Sequence, residues 1–164
     1  MIILDSAYPV LACVLGWAAI GKLGRLREFT GQVGGYRLLP AVLVGPTAIG
    51  VLCGELAAMV LLVPPPTRSA GAVLAALLLA VYLFAQSTAL ARGLRVDCGC
   101  FAGSDELSAV GPATVTRTVL LLLLAVGAVA AGPTPFRPVQ LLIGPALAAV
   151  VGLIPELTQR RYLR

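Results

Sequence analysis

The chain has 164 residues, of which 59% are hydrophobic and only 12% charged, and its mean hydropathy is +0.99. A soluble globular domain carries about 25% charged residues, so the composition excludes that class of protein. The charges are also segregated: Glu55 is the only charged residue between Arg37 and Arg68, and none lies between Arg68 and Arg92. Uncharged apolar runs of about 18 residues can cross a bilayer as helices, which indicates a polytopic membrane protein.

Five apolar segments predict an all-α transmembrane bundle of four helices plus a fifth, in one membrane domain that fills the chain. The predicted spans are 7–23, 44–63, 70–91, 112–131 and 139–157. The mixed stretch 28–43 is typical of an interfacial segment. Pro46 is expected in the first turn of the second span, where proline is accommodated, and Arg68 in the turn that follows Pro64-Pro65-Pro66.

The basic residues predict the orientation in the cell membrane. Two connections carry one each, Arg68 and Arg137, whereas the other ten basic residues lie in the first and third connections, at the span ends beside them, or in the C-terminal tail. The positive-inside rule then places the N-terminus outside and the C-terminus in the cytoplasm, with the polar loop 92–111 also in the cytoplasm. The basic residues cluster at span ends and form no basic face, so lipid rather than nucleic acid is the expected partner.

Chemistry is concentrated in the loop 92–111, because histidine is absent and polar residues are scarce elsewhere. Asp97-Cys98-Gly99-Cys100-Phe101 places two thiols two residues apart. A disulfide in so short a ring is usually strained and therefore easily reduced, and Gly99 permits the backbone angles that closure needs. Arg95 and a helix start predicted at Ser104 favour the thiolate form of these cysteines, whereas Asp97 opposes it. The sequence therefore does not give the direction in which the thiol pKa is shifted. The alternative interpretation is a purely structural disulfide, or two thiols without a chemical role.

Glu55 is the second candidate site residue. An acid in mid-span costs several kcal/mol unless it is neutral, paired or beside a polar cavity. A structural interpretation gives it hydrogen bonds to Gln86, Ser87 or Thr88 of the third span. Lys22 is its alternative partner if the first span tilts, although snorkelling to the interface is the default for a lysine at a span end. The same default applies to Arg117, one turn inside the fourth span.

Cys13 and Cys53 lie within the first two spans. Packing as small hydrophobic residues is the default interpretation for each. The alternative is an intramembrane relay that passes electrons to or from the loop pair, since their estimated depths differ by only about a turn.

Four short motifs carry a resemblance to a known family. They are Gly21-Lys22-Leu23, Tyr36-Arg37-Leu38-Leu39-Pro40, Gly54-Glu55-Leu56 and Asp97-Cys98-Gly99-Cys100-Phe101. With them the chain resembles the methylamine-utilisation MauE family, relatives of the DoxX-like small membrane proteins, over about residues 12–124. The resemblance implies a redox-associated membrane protein of about four helices, which in the original family is required for disulfide formation or maturation of a methylamine dehydrogenase subunit. Cys98 and Cys100 would carry the thiol chemistry; Ala102, before Gly103, departs from the family's usual Cys-Phe-Gly.

These features together predict a thiol-disulfide redox protein in which Cys98 and Cys100 exchange disulfides with a protein partner or a low-molecular-weight thiol. Asp97, Glu55 and Lys22 are the supporting residues, and no metal is expected. No cofactor is evident, and a quinone acceptor enters by analogy alone. The rivals are a soft-metal transporter, since thiolates select such ions, and a non-catalytic subunit of a membrane complex or homo-oligomer. The predicted cytoplasmic loop favours reduction by a cytoplasmic thiol, or metal hand-off, over direct oxidation of a secreted substrate.

Overall fold

The computed structural model describes residues 6–94, 96, 111–132 and 146, and within these the chain is helical without β-strands. The elements in order are α1 (Ala7–Leu23), α2 (Leu26–Gly35), α3 (Ala41–Leu62), a 3-10 turn (Pro65–Thr67), α4 (Arg68–Ala91) and α5 (Pro112–Ala131). The all-α prediction is confirmed. The predicted fifth span 139–157, apart from residue 146, lies outside the described residues, as do Asp97, Cys98, Cys100 and the helix start predicted at Ser104.

Among the described helices, α3, α4 with its preceding turn, and α5 are each long and apolar enough to cross a membrane. A fourth span results if α1 and α2 count as one broken span, because they are bent by 104° at the short link between them. Large apolar side chains cover the outward faces, as lipid contact requires: Trp17, Val42, Leu77, Phe84 and Leu123 are all exposed. The chain is therefore a multi-pass membrane protein.

Helices α1 and α5 have the bounds of the predicted spans, whereas α3 and α4 begin three and two residues earlier than theirs. Helix α3 begins at Ala41 instead of residue 44, so Pro46 lies inside the helix and outside its first turn. The start is set by Pro40, which is extended and whose carbonyl accepts a hydrogen bond from the amide of Leu43. Helix α4 begins at Arg68, whose side chain is buried rather than exposed in a turn.

The four long helices run antiparallel in sequence order, with α1 beside α3, α3 beside α4 and α4 beside α5. One end of the bundle is marked by Tyr8, at the start of α1, whose hydroxyl donates to the carbonyl of Ala128 near the end of α5 at 2.8 Å. At the same end, Arg68 lies 5.4 Å above the Tyr8 ring. The opposite end of the bundle therefore holds the C-terminal ends of α1 and α4 and the N-terminal end of α5. The 92–111 connection links α4 to α5 at this end.

Candidate functional site

Polar side chains from three helices meet inside the bundle. Lys22, one residue from the end of α1, donates a hydrogen bond from Nζ to Oε1 of Glu55 on α3. The hydroxyl of Tyr82 on α4 donates to the same oxygen and lies 3.0 Å from Lys22 Nζ. The side chains of Lys22 and Glu55 are 4% and 0% exposed, so this is a buried, hydrogen-bonded ion pair. We call these three residues the α1–α3–α4 cluster.

Lys22 pairs with Glu55 instead of snorkelling, because the chain bends after α1 and the following helix covers the lysine. After Leu23 it turns through 104° into α2, which packs against α3. Phe29 of α2 is buried, and its ring lies 4.9 Å from Lys22 Nζ, within the range of a cation–π contact. Helix α2 thus covers the lysine and replaces solvent on that side.

The partners of Glu55 differ from those that the sequence predicted on α4. Gln86 accepts a hydrogen bond from Thr118, Thr88 bonds to carbonyls of its own helix, and Ser87 is exposed. The true partner, Tyr82, precedes Gln86 by four residues and therefore shares its helix face. Sequence reasoning missed Tyr82; its polar hydroxyl within an apolar run was the available signal.

A second buried polar cluster lies between α4 and α5. Thr118 Oγ1 donates to Gln86 Oε1 at 2.9 Å, and both side chains are buried. Arg117, the neighbour of Thr118, is 8% exposed rather than snorkelling. Its position in the second turn of α5, a helix covered by α4 and α1 on its inner face, directs the side chain inward. These two clusters lie toward the end of the bundle from which the 92–111 connection leaves.

A small cavity of about 20 Å³ separates the two clusters. Four polar residues line it, namely Glu55, Tyr82, Arg117 and Thr118, and its remaining walls are the apolar Val14, Leu15, Ala18, Leu79 and Leu121. Glu55 Oε2 is buried, and no described residue makes a hydrogen bond to it. Although four polar residues border the cavity, the surface that it exposes is almost entirely apolar.

The beginning of the 92–111 connection is held against the bundle. Gly93, with φ +64°, ends α4 in a Schellman arrangement, in which the amides of Gly93 and Leu94 donate to the carbonyls of Leu90 and Ala89. Val96 is 9% exposed and fills the space left by the missing side chain of Gly35, where a Cβ would lie 2.6 Å from Val96 Cγ1. Cys98 follows Val96 by two residues in the sequence.

The two described cysteines have different surroundings. Cys13 on α1 is half-buried, Cys53 on α3 is exposed, and both are free thiols. Exposure on the outer face of α3 suits contact with lipid and separates Cys53 from the buried Glu55 two residues away. The relay through Cys13 and Cys53 stays a prediction.

Comparisons with known proteins agree with the sequence motifs. The sequence model of the family "Methylamine utilisation protein MauE" matches residues 1–131. The chain is 38% identical over 112 residues to "Methylamine utilization protein MauE" of Methylophilus methylotrophus, a match that covers 68% of this chain and 59% of that protein. It is 35% identical over 135 residues to the protein of the same name from Paracoccus denitrificans, covering 82% of this chain and 72% of the relative.

A third relative, from Paracoccus versutus, is 33% identical over 124 residues, which cover 75% of this chain and 66% of that protein. The chain therefore spans only about 59% to 72% of the length of these relatives. No solved structure matches the chain. The family match covers most of the chain, and three relatives share at least a third of the aligned residues; the chain belongs to the MauE family.

Proposed function

We propose that this protein is a membrane thiol-disulfide exchange protein of the MauE type, with Cys98 and Cys100 as its reactive groups. The observation that carries the proposal is the Cys98-Gly99-Cys100 pair in a connection whose start is held against the bundle at Gly93 and Val96. A thiol pair near a rigid anchor can meet a partner while the helices stay in the membrane. The names of the relatives suggest a partner from methylamine utilisation.

The exchange moves two electrons in two substitution steps. The thiolate of one cysteine attacks a disulfide of the partner, breaks its S–S bond and forms a mixed disulfide, while the released sulfur takes up a proton. The other cysteine, as a thiolate, then attacks the mixed disulfide and releases the second partner sulfur. The partner becomes a dithiol and Cys98 and Cys100 become a disulfide; the reverse sequence delivers a disulfide to the partner.

The supporting residues act on the reactive pair indirectly. Asp97 adjoins Cys98 and disfavours its thiolate by charge repulsion. Lys22 and Glu55 fix the relative positions of α1 and α3, and Tyr82 ties them to α4, the helix that leads into the connection. Cys13 and Cys53 are the proposed intramembrane relay. A quinone acceptor enters by analogy only, and we assign it no residues.

The charge distribution supports a definite orientation and partner. Ten of the twelve basic residues lie in, or at the helix ends beside, the connections and the C-terminal tail that this orientation places in the cytoplasm. The reactive pair then faces the cytoplasm, where low-molecular-weight thiols keep most disulfides reduced. We therefore propose a protein or a small thiol on that side as the exchange partner.

Thiol trapping in intact cells tests the proposal. A membrane-impermeant maleimide is added before and after reduction, and then again after lysis, and the modified chain is identified by its change in mass. Cys98 and Cys100 should be protected in intact cells and should titrate together against a dithiol redox buffer after lysis. Labelling from outside would reverse the proposed orientation.

Single-cysteine variants identify the chemistry. Cys98→Ser and Cys100→Ser each leave one thiol without its resolving partner, so one of them should accumulate a mixed disulfide. Cys13→Ser and Cys53→Ser leave both loop thiols in place, so neither variant should accumulate this mixed disulfide; a loss of turnover in them would instead report on the proposed relay. If the double variant Cys98→Ser/Cys100→Ser leaves partner disulfides unchanged and abolishes uptake of a soft metal ion instead, exchange is wrong and metal transport takes its place. If neither property changes, the pair has no chemical role.

A further inference from the structure

The C-terminal end of α2 contacts the beginning of the 92–111 connection at two places. At the first, Val96 fills a hollow at Gly35, since a Cβ on Gly35 would lie 2.6 Å from Val96 Cγ1. At the second, Arg92 Nη1 donates hydrogen bonds to the carbonyl oxygens of Tyr36 and Arg37, at 3.4 Å from each. We call these five residues the α2 seat.

Arg92 is chemically suited to the end of a helix. The last carbonyls of an α-helix have no partner within the helix, and a cation beside them interacts favourably with the helix dipole. Arg37 has φ +50°, a left-handed conformation that is costly for a residue with a side chain. Such a backbone persists only where its surroundings hold it, and the hydrogen bond from Arg92 is one such contact. The arginine therefore joins the end of α4 to the end of α2.

Helix α2 is itself fixed to the bundle by further contacts. Phe29 is buried, and its ring lies 4.9 Å from Lys22 Nζ. A Cβ on Gly34, the residue before the seat, would lie 3.7 Å from Val44 Cγ1 of α3, an ordinary van der Waals distance. A site supported by a packed helix keeps its geometry better than one supported by a loop. The α2 seat is therefore a firm support for the connection.

The position of Val96 limits the reach of the reactive pair, because Cys98 follows it by two residues and two residues of extended chain span at most about 7 Å. We propose that the α2 seat positions Cys98 and Cys100 for exchange, with Gly35 as the positioning residue; the inference rests on the function proposed above. A side chain at position 35 would displace Val96, whose β-branched side chain has few alternative rotamers. The chain that leads to Cys98 would then lose its fixed starting point.

An exchange of side-chain size between Gly35 and Val96 tests the proposal in the full, reduced chain in lipid nanodiscs. Gly35→Ala crowds the hollow and Val96→Ala empties it, so each should raise the rate at which a maleimide alkylates Cys98 and Cys100 by at least threefold. In Gly35→Ala/Val96→Ala the added methyl group fills the space that valine leaves, and the rate should return to the original value. Gly31→Ala is the matched control on α2, because a Cβ there meets nothing within 4 Å and the rate should not change.

The backbone at position 35 does not confuse this test. Among the described glycines only Gly93 and Gly132 have positive φ, so the backbone of Gly35 accepts alanine. Cys13 is half-buried in α1 and reports on unfolding, since its alkylation should stay slow wherever the helices are intact. If Gly35→Ala exposes Cys13, the test depends on Val96→Ala, which adds no atoms.

The outcomes separate the seat from the exchange chemistry. Equal alkylation of the loop thiols in all folded variants, or a double variant as fast as the single ones, would overturn the seat. The proposed exchange would still stand if Cys98 and Cys100 titrate as a disulfide against a dithiol buffer. If they do not, the exchange is wrong, and rates that the double variant restores would still show that the seat holds the two thiols.

Discussion

The two halves of the bundle differ in the contacts that join their helices. In the half near the link between α3 and α4, the helices approach closely through small residues, and at its outer end the Tyr8 hydroxyl of α1 donates to the carbonyl of Ala128 on α5. A Cβ on Gly71 would lie only 2.8 Å from the amide nitrogen of Leu62. Ala72, Ala75, Ala125 and Ala128 are likewise fully buried there or beside it. In the half toward the 92–111 connection, Lys22, Glu55 and Tyr82 link α1, α3 and α4, and Gln86 with Thr118 links α4 and α5.

Both kinds of contact are ones that can hold helices together in a lipid environment. Lipid tails are as apolar as leucine, so helices in a membrane gain little from burying apolar side chains against one another. Small residues allow close van der Waals contact, and polar residues hold helices together only when each finds its partner. The close-packed half should therefore be sensitive to added volume, and the polar half to the removal of one partner at a time.

Breaking the ion pair should have the largest effect. Glu55→Leu leaves the ammonium of Lys22 buried without its counter-charge, and we expect the free energy of unfolding to fall by about 3–5 kcal/mol. The double variant Lys22→Met/Glu55→Leu removes both charges and should recover most of this loss. Denaturant titration of the three proteins in detergent micelles measures the difference. An equal loss in the single and double variants would show that the buried charge is not the cause.

Adding one methyl group to the close-packed half should have an intermediate effect. Gly71→Ala places a Cβ against backbone atoms of Leu61 and Leu62, which cannot move aside, and should cost about 1–3 kcal/mol. Gly50→Ala on α3 is the matched control, because a Cβ there meets nothing within 4 Å. The Gly50→Ala variant should show no loss in the free energy of unfolding beyond about 0.5 kcal/mol, and the higher helix propensity of alanine can raise it. Equal losses at both positions would remove the distinction between the halves.

The hydrogen bond between Thr118 and Gln86 should have the smallest effect. Thr118→Val keeps the side-chain shape and removes the donor, and bonds between membrane helices contribute about 0.6 kcal/mol on average. A double-mutant cycle with Gln86→Leu isolates the interaction of the two side chains. A coupling energy near zero would leave the polar half dependent on the α1–α3–α4 cluster alone.

Much of the fold could be predicted from the sequence. Helices α1 and α5 have the bounds that the sequence predicts. Helix α3 begins three residues before its predicted start, because the helix accommodates Pro46 beyond its first turn. Glu55 stands out in the sequence because an acid in an apolar run is costly wherever it lies.

The partners of the polar residues could not be predicted in the same way. Lys22 and Arg117 were expected to reach the interface, as basic residues near span ends usually do, but both are buried. For Lys22 the cause is α2, which bends back and covers it with Phe29. Tyr82 cannot be assigned as a partner of Glu55 from the sequence, because one hydroxyl in a long apolar segment does not reveal which helix it faces.

The sequence by itself determined that the chain is a helical membrane protein, roughly where its long described helices fall, and that Glu55 needs compensation. These properties depend on local composition and on the cost of charge in hydrocarbon. Only the tertiary structure decided that Lys22 and Tyr82 supply that compensation and that Gln86 pairs with Thr118 instead. The choice depends on the depth, bend and rotation of each helix, and in helices that are apolar on nearly every face, no polar stripe records that rotation.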